Sequence, residues 1–503
     1  MRSVSEFSTL RRRLAVILSL ALALSTSLVQ GLDKSSAPDC TQLHANLLDF
    51  YRSIPTDFST MATADRVATR AQQSIEKARL YLTKCSERPA AEVGDVSVVY
   101  AKCLYLLVRR FRMQAIKHCR EDTAPDLAAC VTERVQDYLA EIERVSRNGL
   151  SKLAPESPLR PRAWETLIYA LYESRRLPET EAACKQFIQT FPSDESVHKI
   201  VNALGRTYLE AEAYDHGIEL LKAAIKTHYK SDSYPFFVET LRKLYMGNGD
   251  VAGFERTVDN AMLVFPLKAT NPKNPPRLRQ ALERYSMYYG FWKGYSRLAA
   301  GDLEGAQEAF REHIRTLNDR EKELVSLKQQ LKPEYAIYRG RSSTTLEFLE
   351  KLGGRPAPRE LELAWIDNKE LLLSDSLGTV TGILFRGVDE LRSRDFMARM
   401  SHICNDNPEF QMAAVHFLRG NQEPKSRGTI LREEISTIGY VGPAGFDPDP
   451  EDQSVFRAFN VKVGSASFVI LDRSGNLVWF MEDPRPLDVP FVEAGMKRVA
   501  DET

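Results

Sequence analysis

Cysteine is scarce in this chain of 503 residues: there are seven, and no two are spaced C-x-x-C. Without that spacing the chain has neither a zinc ribbon nor a dithiol redox motif. Seven cysteines are also too few for a disulfide-dense scaffold. Net charge is missing as well: 68 basic side chains offset 68 acidic ones. That balance excludes a protein built mainly to neutralise nucleic-acid phosphates. The eight histidines are scattered, with no His-Glu-x-x-His and no Cys/His cluster, so neither a metal nor a cofactor is expected. Phosphate-cradling glycine loops, Gly-x-Ser-x-Gly elbows and dinucleotide fingerprints are absent too. The acidic stretch Asp447 to Asp452 lacks the spaced ligands and turn glycine of a calcium loop and reads as solvated. What is present is 43% hydrophobic and 27% charged residues, a composition that folds rather than staying disordered. The length suffices for about three domains.

The first residues give an address. Arg11, Arg12 and Arg13 precede the apolar run Leu14 to Leu24, and Ser25, Thr26 and Ser27 follow. A basic region, a short apolar core and small residues make a signal peptide. Cleavage after Gly31, with Val29 two positions before it, defines a segment 1–31. The alternative is a retained membrane anchor, but the run covers only 11 positions, against about 20 for a bilayer span. The protein is therefore expected to be exported, periplasmic or secreted, with membrane attachment only if this segment is kept. Its removal takes away four arginines and Glu6, leaving 64 basic against 67 acidic residues, a net of −3.

From about residue 41 to 350 the apolar spacing is helical. Trp164, Val201 and Val238 lie 37 apart, each in a helix continued by Leu167, Leu204 or Leu241 and closed by Leu171, Tyr208 or Tyr245. Thr180, Gly217 and Phe254 repeat the same spacing in the second helices, and Pro192, Tyr229 and Pro266 end the units. This pattern resembles the tetratricopeptide repeat family, which has a slightly shorter unit. A further unit, Gly294-Tyr295, then Ala300-Gly301-Asp302 to Ala306 and Phe310, follows after 15 extra residues that fit the loop Asn271 to Pro276. Thr180 and Phe254 depart from the small residue usual in the family. Leu317, Leu324 and Leu331, seven apart, predict a linker helix over Arg320 to Lys332.

The resemblance implies a groove lined by the first helices. Its candidates are Arg162, Glu165, Tyr169 and Tyr172, then Lys199, Asn202 and Arg206, then Phe236, Glu239 and Lys243. Mixed charge with aromatics suits a protein or peptide partner; a plain solvated helix face is the alternative at each position. The aromatic cluster from Tyr285 to Tyr295 reads as packing between helices. Cys40 starts one predicted helix and Cys85 ends the next, so a hairpin would join them; Cys119 and Cys130 flank a second turn in the same way. Both pairs are disulfide candidates in an oxidising compartment. Cys103 and Cys184 sit in apolar stretches as buried small hydrophobes.

After Gly353-Gly354-Arg355-Pro356-Ala357-Pro358 the pattern changes. Strands are predicted over Leu361 to Ile366, Val380 to Phe385, Met412 to Leu418 and a hairpin over 467–480, with helices over 391–404 and Pro490 to Val499. The Gly-Arg-Pro-Ala-Pro opening, Asp375 to Gly378 and the hairpin Val469 to Val478 resemble a thioredoxin-like domain of the TlpA-like branch. That family carries C-x-x-C on the first helical turn after the central strand, then Arg and Met. Arg394 and Met397 match, but Glu390 and Ser393 hold the cysteine positions, and Ala466 holds that of the cis-proline. A carboxylate forms no mixed disulfide. A cis bond before alanine costs roughly 3 kcal/mol or more, so a trans peptide is expected. Cys404, at the far end of that helix, is the outside candidate for thiol chemistry.

The expected fold is multidomain: an all-α helical-repeat, TPR-like solenoid followed by a C-terminal α/β thioredoxin-like domain. The divisions are 1–31 signal, 32–155 helical N-terminal part, 156–350 repeats with linker helix, and 351–503 thioredoxin-like. The expected function is a non-catalytic exported interaction protein, a pseudoenzyme that binds protein or peptide. The alternative is an envelope thiol-disulfide oxidoreductase or peroxiredoxin-like enzyme. Oligomeric state is not legible.

Overall fold

The computed structural model describes residues 39–54, 61–121, 127–326, 333–358, 363–367, 371, 377–387, 390, 393–417, 424–446, 454–462 and 466–502. The segment expected to be a signal, the acidic stretch after Phe446 and the residues just before Ala466 lie outside them. The described chain is mostly helical, with one small mixed sheet near its C-terminus. It forms two compact units, one of residues 1–118 and 130–170, the other of 119–129 and 171–503.

The first unit contains α1 (Cys40–Arg52) and α2 (Met61–Lys84), and is built mainly from α3 (Ala90–Glu121) and α4 (Leu127–Lys152). Asp39 caps α1, accepting from the Thr41 and Gln42 amides at 3.0 and 3.1 Å. The core gathers Tyr81, Val99, Cys103, Leu139 and Ile142, all under 2% exposed. Tyr81 keeps its hydroxyl satisfied by donating to Glu92 at 2.9 Å. A disulfide joins Cys40 to Cys85, with Cα atoms 5.9 Å apart, and Cys119 and Cys130 are also disulfide-bonded. Cys103 and Cys184 are free and buried.

The repeat period appears directly in the helix boundaries. First helices α5 (Arg160–Glu173), α7 (Val197–Glu210) and α9 (Tyr234–Gly247) start 37 residues apart, as do second helices α6 (Leu177–Thr190), α8 (Tyr214–Thr227) and α10 (Val251–Thr270). The turns repeat as well. Arg176, Ala213 and Asp250 donate their amides to Leu171, Tyr208 and Tyr245 carbonyls at 3.1, 2.9 and 3.0 Å. The residue before each, Arg175, Glu212 or Gly249, has φ between 56° and 67°. This is the six-to-one bond with a left-handed residue that ends many helices. At Gly217 a Cβ would stand 2.7 Å from Leu244, so the small residue permits close helix approach. α11 (Pro276–Ala299), α12 (Leu303–Ser326) and α13 (Pro333–Leu352) complete the array.

Two helical expectations are corrected. Pro266 does not end its unit but lies inside α10, which continues to Thr270. The bond it cannot make falls on a face where Leu263 and Leu267 are exposed, 67% and 66% accessible, a setting in which a proline inside a helix is tolerated. The heptad leucines do not form a separate linker helix: Leu317 and Leu324 are buried along the later turns of α12, and Leu331 lies outside the described residues.

The sheet has six strands in the order β1-β4-β3-β2-β5-β6. These are β1 (Ala364–Trp365), β2 (Val380–Gly387), β3 (Phe410–Phe417), β4 (Ala444–Phe446), β5 (Ser467–Leu471) and β6 (Leu477–Glu482). β2 is parallel to β3 from Val380↔Phe410 onward and antiparallel to β5. All eight residues of β2 are buried, as a strand covered on both faces requires. α14 (Arg394–Asp406) joins β2 to β3 and begins three residues later than the spacing predicts; α15 (Pro424–Ile438) and α16 (Ser454–Ala458) follow. A short 3₁₀ turn (Pro486–Asp488) leads into α17 (Val489–Glu502).

Candidate functional site

The central strand delivers the chain to the N-terminus of α14, where the thioredoxin-like resemblance places chemistry. Glu390 and Ser393 stand there. The Glu390 carboxylate accepts from the Ser393 amide at 3.0 Å and from the Ser393 hydroxyl. A carboxylate at a helix start satisfies an otherwise unpaired amide and meets the positive end of the helix dipole. Arg394, the next residue, is fixed away from this point. Its Nε and Nη2 donate to Glu434 at 3.0 and 2.8 Å, and the fully buried Arg386 donates to the same carboxylate at 3.1 Å. Arg386 also donates to the Glu390 carbonyl. Met397 and Ala466 are buried. The arrangement caps, pairs and packs; it presents no sulfur nucleophile.

Cys404 lies near the other end of α14, 7% exposed. Burial, with Glu493 adding to it, pushes its thiol up to about 12. At neutral pH such a thiol stays protonated, and the thiolate is the reactive form.

The groove candidates divide between the units. In the first, Glu165 is buried and accepts from Arg162 at 3.4 Å, and Tyr169 stacks on Tyr105 with centroids 5.5 Å apart. In the second, Tyr172 is buried; its hydroxyl donates to Glu210 and the Arg206 guanidinium lies 4.8 Å over its ring. Asn202 accepts from Thr240 at 3.1 Å. Lys199 and Arg206 are exposed. Phe236 is 42% exposed, with Tyr285 edge-on to it at 5.6 Å.

Glu239 and Lys243 belong to a different place. Within the second unit, β6 and the 3₁₀ turn pack on the repeat helices α9, α11 and α13. Arg341 donates to Asp483 at 2.5 Å, Lys462 to Thr344 at 2.8 Å, and the Glu482 amide to the Tyr295 hydroxyl at 3.4 Å. Phe348 stacks on Phe480 at 4.6 Å, and Phe254 meets Phe491 at 4.7 Å. A cavity of about 160 Å³ remains at this junction, with Glu239 and Lys243 in its wall. Arg242, 2% exposed, lies beside them. Its Nε and Nη2 donate to Glu239 at 3.0 and 2.8 Å, and its guanidinium sits 3.9 Å from the Trp292 ring centroid. Burial pushes the Asp488 carboxyl up to about 6, although the Arg485 amide and nearby arginines oppose the shift.

Periodicity alone assigns neither Arg242 nor Asp488 of the 3₁₀ turn to this site. The available signal is an arginine between Leu241 and Tyr245, on the face the repeat buries, with Glu239 three residues before it. Among the described residues no group of histidines, cysteines and carboxylates has the form of a metal site.

No protein-family model and no curated protein sequence matches the chain. Among solved structures, a thiol-disulfide isomerase from Corynebacterium glutamicum is 18% identical over 29% of this chain and 98% of its own, with a TM-score of 0.25. A thioredoxin-family thiol:disulfide interchange protein from Chlorobium tepidum is 18% identical over 28% and 97%, with a TM-score of 0.23. TPR-like repeats from Podosopora anserina are 17% identical over 41% and 92%, with a TM-score of 0.30.

Proposed function

We propose that the chain is an exported, non-catalytic interaction protein. Its TPR-like repeats recognise a protein or peptide, and its thioredoxin-like domain serves as a docked stabilising module in place of a redox enzyme. The observation that carries this reading is the Glu390–Ser393 hydrogen-bonded pair at the head of α14. It fills the positions that the resemblance gives to two thiols, while Cys404 is buried and protonated elsewhere. Export agrees with the disulfide-bonded cysteines, which persist in oxidising compartments. The signal segment 1–31 and the divisions at 155 and 350 are part of the proposal. No helix among the described residues is long and apolar enough to cross a membrane.

For the repeat face, Arg206 offers exposed positive charge over the Tyr172 ring and Lys199 a further exposed charge on the same helix, a surface suited to an acidic or aromatic segment. Cross-linking capture by the processed chain from its own envelope fraction tests this. Lys199→Glu with Arg206→Glu is expected to lose the captured partner, whereas Glu390→Ala retains it. Capture unchanged by the double substitution contradicts the assignment of the groove.

A further inference from the structure

The junction cavity holds polar groups that the fold leaves unsatisfied. On α9, Arg242 commits Nε and Nη2 to Glu239, but Nη1 finds only the Met246 sulfur at 3.6 Å. Lys243 reaches only the same Glu239, at 3.5 Å. These are surplus donors with positive charge. At the end of β6, Glu482 Oε2 is buried with no hydrogen-bond partner. In the 3₁₀ turn, Asp488 accepts from the Arg485 amide at 2.8 Å, which leaves its second oxygen open. These are surplus acceptors with negative charge. The Tyr338 hydroxyl, also in the wall, bonds to none of the described residues. An acceptor buried without a partner, as Glu482 Oε2 is, has lost its hydration without replacement, so an occupant that donates to it and also meets the donors of Arg242 and the half-exposed Lys243 gains affinity.

Size narrows the occupant. About 160 Å³ is close to the cavity that holds a benzene ring and well short of a drug-sized pocket. A molecule of that size bearing both an anion and a cation is a compact zwitterion. We propose that the cavity binds a free α-amino acid, with its carboxylate toward Lys243 and Arg242 Nη1, its ammonium toward Glu482 and Asp488, and its side chain against Trp292. Burial acts consistently with this. It raises the Glu482 and Asp488 carboxyls and lowers the Lys243 ammonium, and neighbouring Arg341, Arg485 and Glu239 oppose these shifts without cancelling them. The inference does not rest on the repeats binding a partner.

The test is calorimetric titration and thermal unfolding of the full chain with the proteinogenic α-amino acids, one at a time, at millimolar concentration. At least one amino acid is expected to release or absorb heat and to raise Tm. Its N-acetyl and its carboxamide derivatives are each expected to bind about tenfold more weakly or worse, because each lacks one charge. Lys243→Met and Glu482→Gln lose affinity to the same extent, and Tyr338→Phe, which keeps the ring and its packing, loses it several-fold. The proposal is overturned if no amino acid gives heat or a shift in Tm, if either capped derivative binds as well as the parent, or if the folded cavity variants bind like the wild type.

Discussion

Ser393 donates both its amide and its hydroxyl to the carboxylate of Glu390, three residues before it at the start of α14. The two side chains are three residues apart, the spacing of a C-x-x-C pair. They use the positive end of the helix to bind a carboxylate, where a redox enzyme uses it to stabilise a thiolate. Oxygen ligands alone satisfy this end of the helix.

That stability extends to Glu434, which accepts from both Arg394 and the fully buried Arg386. Glu434→Ala leaves a buried guanidinium without its counter-ion and is expected to destabilise the fold by about 3–5 kcal/mol. Urea unfolding followed by tryptophan fluorescence checks this; a loss below about 1 kcal/mol contradicts the pairing.

The repeat turns make a paired prediction. Gly249 has φ 67°, and a Cβ there would stand 3.0 Å from the Pro490 carbonyl oxygen, so Gly249→Ala is expected to cost roughly 1–2 kcal/mol. Glu212 holds the same conformation one unit earlier with a side chain attached, at φ 56°. Glu212→Gly relieves that strain and gives up only an exposed ion pair with Arg399, so stability stays level or rises by up to ~1 kcal/mol. Thermal unfolding should therefore fall for Gly249→Ala and hold or rise for Glu212→Gly.

Asp488 gives a pH signature. Its carboxyl is raised from 3.8 to about 6 by burial, so the folded state binds the proton more tightly than the unfolded state. Its contribution to stability is fully present below about pH 4 and is lost as pH rises through about 6. Asp488→Asn is expected to remove that part of the profile, so the stability difference between variant and wild type changes across pH 4–6 and is flat above it. Denaturant midpoints at a series of pH values measure it; a parallel pair of curves contradicts the assignment.

In the first unit the Cys40–Cys85 bond closes a separation of 45 residues. Replacing both cysteines by serine is expected to cost about 4 kcal/mol on the chain-entropy estimate. Limited proteolysis should then cut within α1 or α2 at protease levels that spare the wild type.

Much of this architecture is legible because repetition amplifies weak signals. The spacing of Trp164, Val201 and Val238 returns as helix starts at Arg160, Val197 and Tyr234, and the hairpin expected over 467–480 returns as β5 and β6. The left-handed turn residues are only partly legible: Gly249 announces itself, whereas Arg175 and Glu212 adopt the same backbone against their own preference because the flanking helices fix it. Pro266 misleads for the converse reason, since its missing donor falls on a solvent-facing turn. The junction cavity is not legible at all. Arg242, Trp292, Tyr338 and Asp488 come from separate elements, and no local period relates them. Their proximity follows from the packing of β6 and the 3₁₀ turn on the repeats, a contact between surfaces that leaves no fixed spacing in the chain.

Dithiothreitol-driven insulin reduction by the full chain tests the proposed absence of thiol chemistry most directly. The predicted result is a rate equal to the uncatalysed reaction for the wild type, for Glu390→Ala and for Cys404→Ser alike. Turnover by the wild type that Cys404→Ser abolishes would contradict the account and establish the protein as an enzyme.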